Sequence, residues 1–150
     1  MDKQEQSDRP LSEESAAVQA HLQILQGVIQ RMASNSTSCK AWCITIVSAI
    51  LVLIADKGKP ELAWLALLPS LLFLALDAYY LALERAFRAS YNAFVSKLHT
   101  GQINVEDVYS VIPKGGMSKH QLDALKSFSV WGFYGALVVL VVLAKSLILA

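Results

Sequence analysis

Three apolar stretches constrain this chain more than any other feature: Ala41 to Ala55, Leu62 to Leu83 with one acid inside it, and Val130 to Leu149 with one lysine near its end. A helix that crosses a bilayer needs about 20 such residues, or as few as 17 when its flanks help. The second and third stretches meet that length directly. The first reaches it if it begins near Ser36, because Ser, Thr and Cys return their polar groups to the helix backbone and Lys40 can snorkel to the interface. Composition agrees, since 55% of the 150 residues are hydrophobic and only 17% are charged, against roughly 45–50% and about 25% in soluble domains. Too few charges remain to cover a globule. The chain length allows one domain.

These stretches predict an all-α membrane protein with three transmembrane helices. Expected are a disordered tail over 1–10, a cytoplasmic amphipathic helix over 12–35, spans over 37–56, 62–83 and 129–149, an outer loop over 57–61, and a cytoplasmic helix and connector over 84–128. The linking residues Asp56-Lys57-Gly58-Lys59-Pro60-Glu61 are short and rich in breakers, so the first two spans form an antiparallel hairpin. If its turn is centred between Gly58 and Lys59, residues equally far along the two arms share a depth. Asp77, the one acid of the second span, then lies opposite Lys40, and the two should pair. An unpaired carboxylate in hydrocarbon is costly. Such a pair can fasten the hairpin or take part in ion passage or proton coupling, and the sequence leaves both open. Thr45 and Ser48 could line a polar face of an oligomer or simply bond back to their own helix.

Lysine and arginine set the orientation. Arg31 and Lys40 precede the first span, and Arg85, Arg88, Lys97, Lys114, Lys119 and Lys126 lie between the second and third, while the hairpin loop holds only Lys57 and Lys59. The N-terminus and residues 84–128 are therefore expected in the cytoplasm and the C-terminus outside. Trp42, Tyr79, Tyr80 and Trp131 mark the inner interface, and Trp64 the outer one. The polar, acidic first twenty residues do not read as a cleavable signal peptide.

Outside the spans, Ser12 followed by Glu13 and Glu14 reads as a helix start. Val18, Leu22, Leu25, Ile29 and Met32 then recur at steps of four, three, four and three, an a/d stripe. That stripe can meet a second copy or partner, or pack on the protein's own cytoplasmic segment. From Ala63 to His99 the only breaker is Pro69, so the second helix should leave the membrane and continue, with Leu83, Phe87, Tyr91, Phe94 and Leu98 as its apolar stripe. Glu84 and Arg88 form an i,i+4 pair beside Arg85. Gly101, Asn104, Pro113, Gly115 and Gly116 mark a connector, after which Ser118 is expected to cap a final helix running into the third span. Gly132 and Ala136 form a small-xxx-small pair.

Catalytic chemistry has no foothold here. His21, His99 and His120 lack metal-ligand spacing with Cys39 and Cys43, and Lys114-Gly115-Gly116 lacks the pattern of a phosphate loop. No nucleophile has a base beside it in local sequence. The expectation is a non-enzyme without cofactor, and a net charge of +1 supplies no basic stripe for nucleic acid.

The segment from His21 through Gln30-Arg31-Met32-Ala33-Ser34-Asn35-Ser36, then Lys40-Ala41-Trp42, then Leu76-Asp77-Ala78-Tyr79-Tyr80 through Glu84-Arg85-Ala86-Phe87-Arg88, resembles a widespread family of small bacterial membrane proteins over roughly residues 21 to 95. The architecture is similar to SLATT-type membrane effectors, which pair two spans with cytoplasmic helices and accompany nucleotide-signalling or antiviral systems. The third span departs from their two-span pattern. The resemblance implies that Arg31, Asn35, Lys40, Asp77, Glu84, Arg85 and Arg88 belong to a shared polar core. It also implies an oligomeric effector of the bacterial inner membrane that acts on the bilayer when a cytoplasmic protein partner signals. The rival expectations are a non-enzymatic anchor that recruits a cytoplasmic partner, and a small ion-coupled carrier that uses Asp77.

Overall fold

The computed structural model describes residues 11–148; the expected tail over 1–10 and the end of the third expected span lie outside that range. Four α-helices carry the fold: α1 Ala16–Lys57, α2 Leu67–His99, α3 Met117–Leu125 and α4 Phe128–Leu143. Among the described residues there is no strand. Three helical segments are long and apolar enough to cross a membrane, one within α1, one spanning Pro60–His99 and one spanning Phe128–Ser146. The chain is thus an all-α membrane protein with three candidate spans.

The expected amphipathic helix and first span are one unbroken helix of 42 residues. No glycine or proline interrupts it between Gly27 and Gly58. Within the Ser- and Thr-rich stretch at its middle, Thr37 Oγ1 donates to the Ala33 carbonyl at 3.2 Å, returning its hydroxyl to its own helix. The start lies later than Ser12. Ser15 is the N-cap residue, and a turn in which the Ser15 N–H donates to the Ser12 carbonyl precedes it. That turn lets Leu11 pack on the same cluster as Val18 and Phe94.

At the other end, Gly58 takes the left-handed conformation (φ 60°) that stops α1. The Lys59 N–H reaches back to the Ile54 carbonyl and the Gly58 N–H to that of Ala55, the pair of reversed bonds that closes a Schellman cap. The second span does not open directly as an α-helix at Leu62. A 3-10 helix over Pro60–Ala66 precedes α2, and Pro69 falls in the first turn of α2, where its missing N–H is not needed.

The helices α1 and α2 pack antiparallel along most of their length. On α2 the buried line is Ala78, Ala82, Ala86, Ser90 and Phe94, four residues apart. Ala78 and Ala82 of this line pack with Ala124 of α3, and the Ala86 carbonyl accepts from the Lys114 N–H at 3.4 Å, so the small side chains admit α3 and the connector close to α2. The large residues of the expected stripe, Leu83, Phe87 and Tyr91, flank this seam half-buried. On α1 the buried positions fall in two groups, Val18, His21 and Leu25, then Ser36, Cys39, Cys43, Val47 and Ile54. We refer to the ends that hold these groups as the polar lobe and the apolar lobe.

The third span is a separate helix rather than the continuation of one capped by Ser118. Helix α3 starts after Gly116, ends at Leu125, and Ser127 opens α4. Val130, Tyr134, Leu137 and Val141 of α4 join Cys43, Val47 and Ala66 in the core of the apolar lobe. The atoms nearest to a Cβ on Gly132 would be those of Phe128 in its own helix. Past α4 the chain continues as a π-helical turn over Ala144–Ile148, and Lys145 Nζ sits 4.6 Å above the Trp64 ring.

Candidate functional site

Asp77 has no exposed surface, and its Oδ2 lies 2.6 Å from Lys40 Nζ. The pairing follows from the hairpin, because both residues are equally distant from the Gly58 turn. The same register continues into the polar lobe, where Gln26 Nε2 donates to the Tyr91 hydroxyl at 3.2 Å and the His21 and Phe94 rings meet at 4.3 Å, tilted by 50°. Ser36, one turn before Lys40 on the same face of α1, donates to Asp77 Oδ1 and lies 3.4 Å from Lys40 Nζ. From α4, the buried Tyr134 hydroxyl stands beside the Asp77 carboxylate without completing a hydrogen bond of normal geometry. Residues from all three spans therefore converge on one carboxylate. Lys40 alone reaches outward, with 19% of its side chain exposed.

Among the cavities along the helices are a groove of about 670 Å³ between α1 and α2 in the polar lobe, one of about 410 Å³ between α1 and α4, and a pocket of about 200 Å³ beneath the connector. Neither Asp77 nor Lys40 lines any of them. The joint clamps helices, and breaking a buried pair by removing one partner typically costs about 3–5 kcal/mol. Thr45, the other polar candidate of the first span, bonds back to the Ala41 carbonyl at 3.0 Å.

A second polar cluster, in the polar lobe, was not foreseen as a unit. His21 is 2% exposed and its Nδ1 accepts a hydrogen bond from the Tyr109 N–H at 3.0 Å. Tyr109 holds a positive φ of 68°, a conformation a non-glycine residue adopts at a cost of order 1–3 kcal/mol when its surroundings impose it. Nearby, Lys97 Nζ lies 2.7 Å from Asp107 Oδ1, and Asp107 also caps the 3-10 turn Val105–Asp107 together with Asn104. Burial pushes the His21 imidazole below its ordinary value, with the Asp107 charge pulling the other way. The bond from Lys97 holds the Asp107 carboxyl below its ordinary value, helped by the Asn104 backbone. Further along, Ser90 Oγ donates to the Ile112 carbonyl at 2.7 Å and accepts from the Lys114 N–H at 2.9 Å. The connector is thereby fastened to both long helices. Scattered histidines give no sign of this in sequence; the only local signal is the Asn104 to Asp107 spacing of a capping box.

The remaining sequence candidates divide. Glu84 and Arg88 form their i,i+4 pair at 2.7 Å, seven and eleven residues beyond Asp77 and not part of its cluster. Arg31 is exposed and Asn35 and Arg85 are half-buried; among the described residues none of the three makes a side-chain hydrogen bond or ion pair. They do not share a site with Lys40 and Asp77. The a/d stripe as a face for a second copy or partner needs correction at two positions. Val18 and Leu25 are 0% and 1% exposed. Val18 packs with Phe94, Ile103 and Val108, and Leu22 lies against that cluster. The connector folds back over this part of the stripe, leaving Ile29 and Met32 half-buried.

Comparison with family models, with curated proteins and with solved structures found no match for this chain.

Proposed function

We propose that the chain is an oligomeric effector of the bacterial inner membrane, in a defence or stress system, that opens or disrupts the bilayer when a cytoplasmic partner engages its polar lobe. In this reading the N-terminus and residues 84–128 lie in the cytoplasm and the C-terminus outside, as the lysine and arginine distribution favours. One observation supports it above others: α1 and α2 run without interruption from the polar lobe into the apolar lobe. A tether needs only a flexible linker. Two rigid helices clamped at Lys40 and Asp77 can carry a displacement of the polar lobe into the membrane. The resemblance of the architecture to SLATT-type effectors points the same way. The enclosure of Asp77 speaks against the ion-coupled carrier.

The test is membrane potential, read with a potential-sensitive dye in native host cells expressing the wild-type chain or the Asp77→Asn variant, with insertion of both verified. Depolarisation by the wild type and its loss in the inserted variant is the expected result. Cells that stay polarised while the system is active would move the reading to a non-enzymatic anchor. That second reading has its own support in the amide-rich groove of Gln23, Gln26, Gln30, Arg88, Tyr91 and Asn92, a surface suited to a protein partner's backbone. It predicts co-purification of that partner without leakage.

A further inference from the structure

We infer that α3 is an interfacial helix whose outer face takes anionic lipid headgroups; this rests on the membrane placement of the spans and not on the effector reading. The helix is pinned at a definite depth. Ala124 is wholly buried and packs with Ala78 and Ala82 of α2, directly after Asp77, where the second span gives way to Tyr79, Tyr80 and the charged turn of Glu84 and Arg85. At its C-terminal end only Lys126 and Ser127 separate it from α4, and the Ser127 N–H bonds back to the Ala124 carbonyl. So α3 cannot leave the mouth of the third span.

What it presents outward has two adjoining stripes. Leu122 and Leu125, three apart on one side, are 58% and 42% exposed. They lead on to Phe128 and Trp131, which meet edge to face at 5.4 Å and are also exposed. This apolar strip is continuous with the outward side chains of α4, Val138, Val139 and Val142. Beside it, Lys119 and Lys126 lie two turns apart on the next stripe, both exposed, with the exposed Asp123 between them.

A helix with one face packed on protein, one apolar side and one lysine-bearing side, held at the level where a span ends, matches the interfacial amphipathic arrangement. The leucines and aromatics reach the acyl boundary, and the two ammonium groups meet phosphate. The continuity with the outer surface of a membrane span favours lipid over a soluble partner. Each basic residue near an anionic surface adds an attraction that salt screens.

The probe is hydrogen exchange of the full chain in nanodiscs of phosphatidylcholine alone or with phosphatidylglycerol added. Amides of residues 119–126 should exchange about tenfold more slowly with the anionic lipid. The difference should vanish in about 1 M salt, where the screening length is near 3 Å, and in a Lys119→Gln/Lys126→Gln variant. Amides of α2 should be unchanged throughout, which reports that the variant is folded; if it is not, the salt titration of the wild type decides. Equal exchange in both lipids overturns the inference. Protection that appears only when two chains share a disc also overturns it, because the occupant is then a second copy.

Discussion

Lys40–Asp77 and Lys97–Asp107 are the same pair of residue types at almost the same distance, 2.6 and 2.7 Å, in opposite surroundings. Asp77 is enclosed by three spans; Lys97 and Asp107 have 42% and 28% of their side chains exposed. A charge removed from water depends on its partner for nearly all its solvation, whereas an exposed one falls back on water. Distance therefore says little about what each pair contributes. The apolar-lobe pair clamps the spans, while the polar-lobe pair holds a connector that other bonds also hold.

The sharpest way to break that comparison is to remove one lysine at a time. Lys40→Met should destabilise the chain by about 3–5 kcal/mol, because it strands Asp77, as read from unfolding by a denaturing detergent in mixed micelles. Lys40→Met/Asp77→Leu should recover most of that loss. A single-variant loss near zero would mean that Asp77 is solvated by something other than Lys40. The next effect in size is pH-driven and confined to the polar lobe. Burial holds the His21 imidazole below its ordinary 6.5, so below that pH the unfolded lobe binds more protons than the folded one and stability falls as pH falls. Exchange at the Tyr109 amide, corrected for its intrinsic rate, should speed up between roughly pH 7.5 and 5.5, by at most about tenfold, and a His21→Phe variant should lose this dependence. Asp107 adds a second loss only at lower pH: its depressed value supports folding above the ordinary 3.8 and is forfeited as pH falls through the folded value.

Smaller again, Lys97→Ala should cost about 0.2–1 kcal/mol, the range of an exposed pair, and less in high salt. A loss as large as that of Lys40→Met would dissolve the contrast. Smallest of all should be Tyr134→Phe, within about 0.5 kcal/mol of wild type, because the hydroxyl it removes is buried without a hydrogen-bond partner. A loss above about 1 kcal/mol in the same detergent titration would show that the phenol does bond Asp77.

The pairing of Lys40 with Asp77 was legible because a hairpin with a tight turn leaves one register, and hydropathy located both arms. Ser36 was legible in principle, one helical turn from Lys40. Tyr134 was not. Helix α4 is apolar on nearly every face, as Phe133, Ala136, Leu137 and Val138 around Tyr134 show, so no periodicity marks the side that packs. The alanine seam of α2 was overlooked for a related reason. Hydropathy marks the stripe of large residues, yet the packing of α3 and the connector on α2 selects Ala78, Ala82, Ala86 and Ser90 and leaves Leu83 and Phe87 on the flanks. Likewise Val18 and Leu25 have the spacing of a seam for another chain, and only the folded connector shows what covers them.

The sequence by itself determined the helical class, the three stretches able to cross a membrane, the hairpin and the depth match of its two charges. All of these follow from hydropathy, breakers and chain geometry, which act over a few residues or through one short turn. Tertiary structure decided the rest: the closing of Asp77 by Ser36 and Tyr134, the break between α3 and α4, and the capture of His21 by the strained backbone of Tyr109. The first and last of these join residues far apart in the chain, and the contact forms because burial, not local pattern, selects which polar groups must find one another.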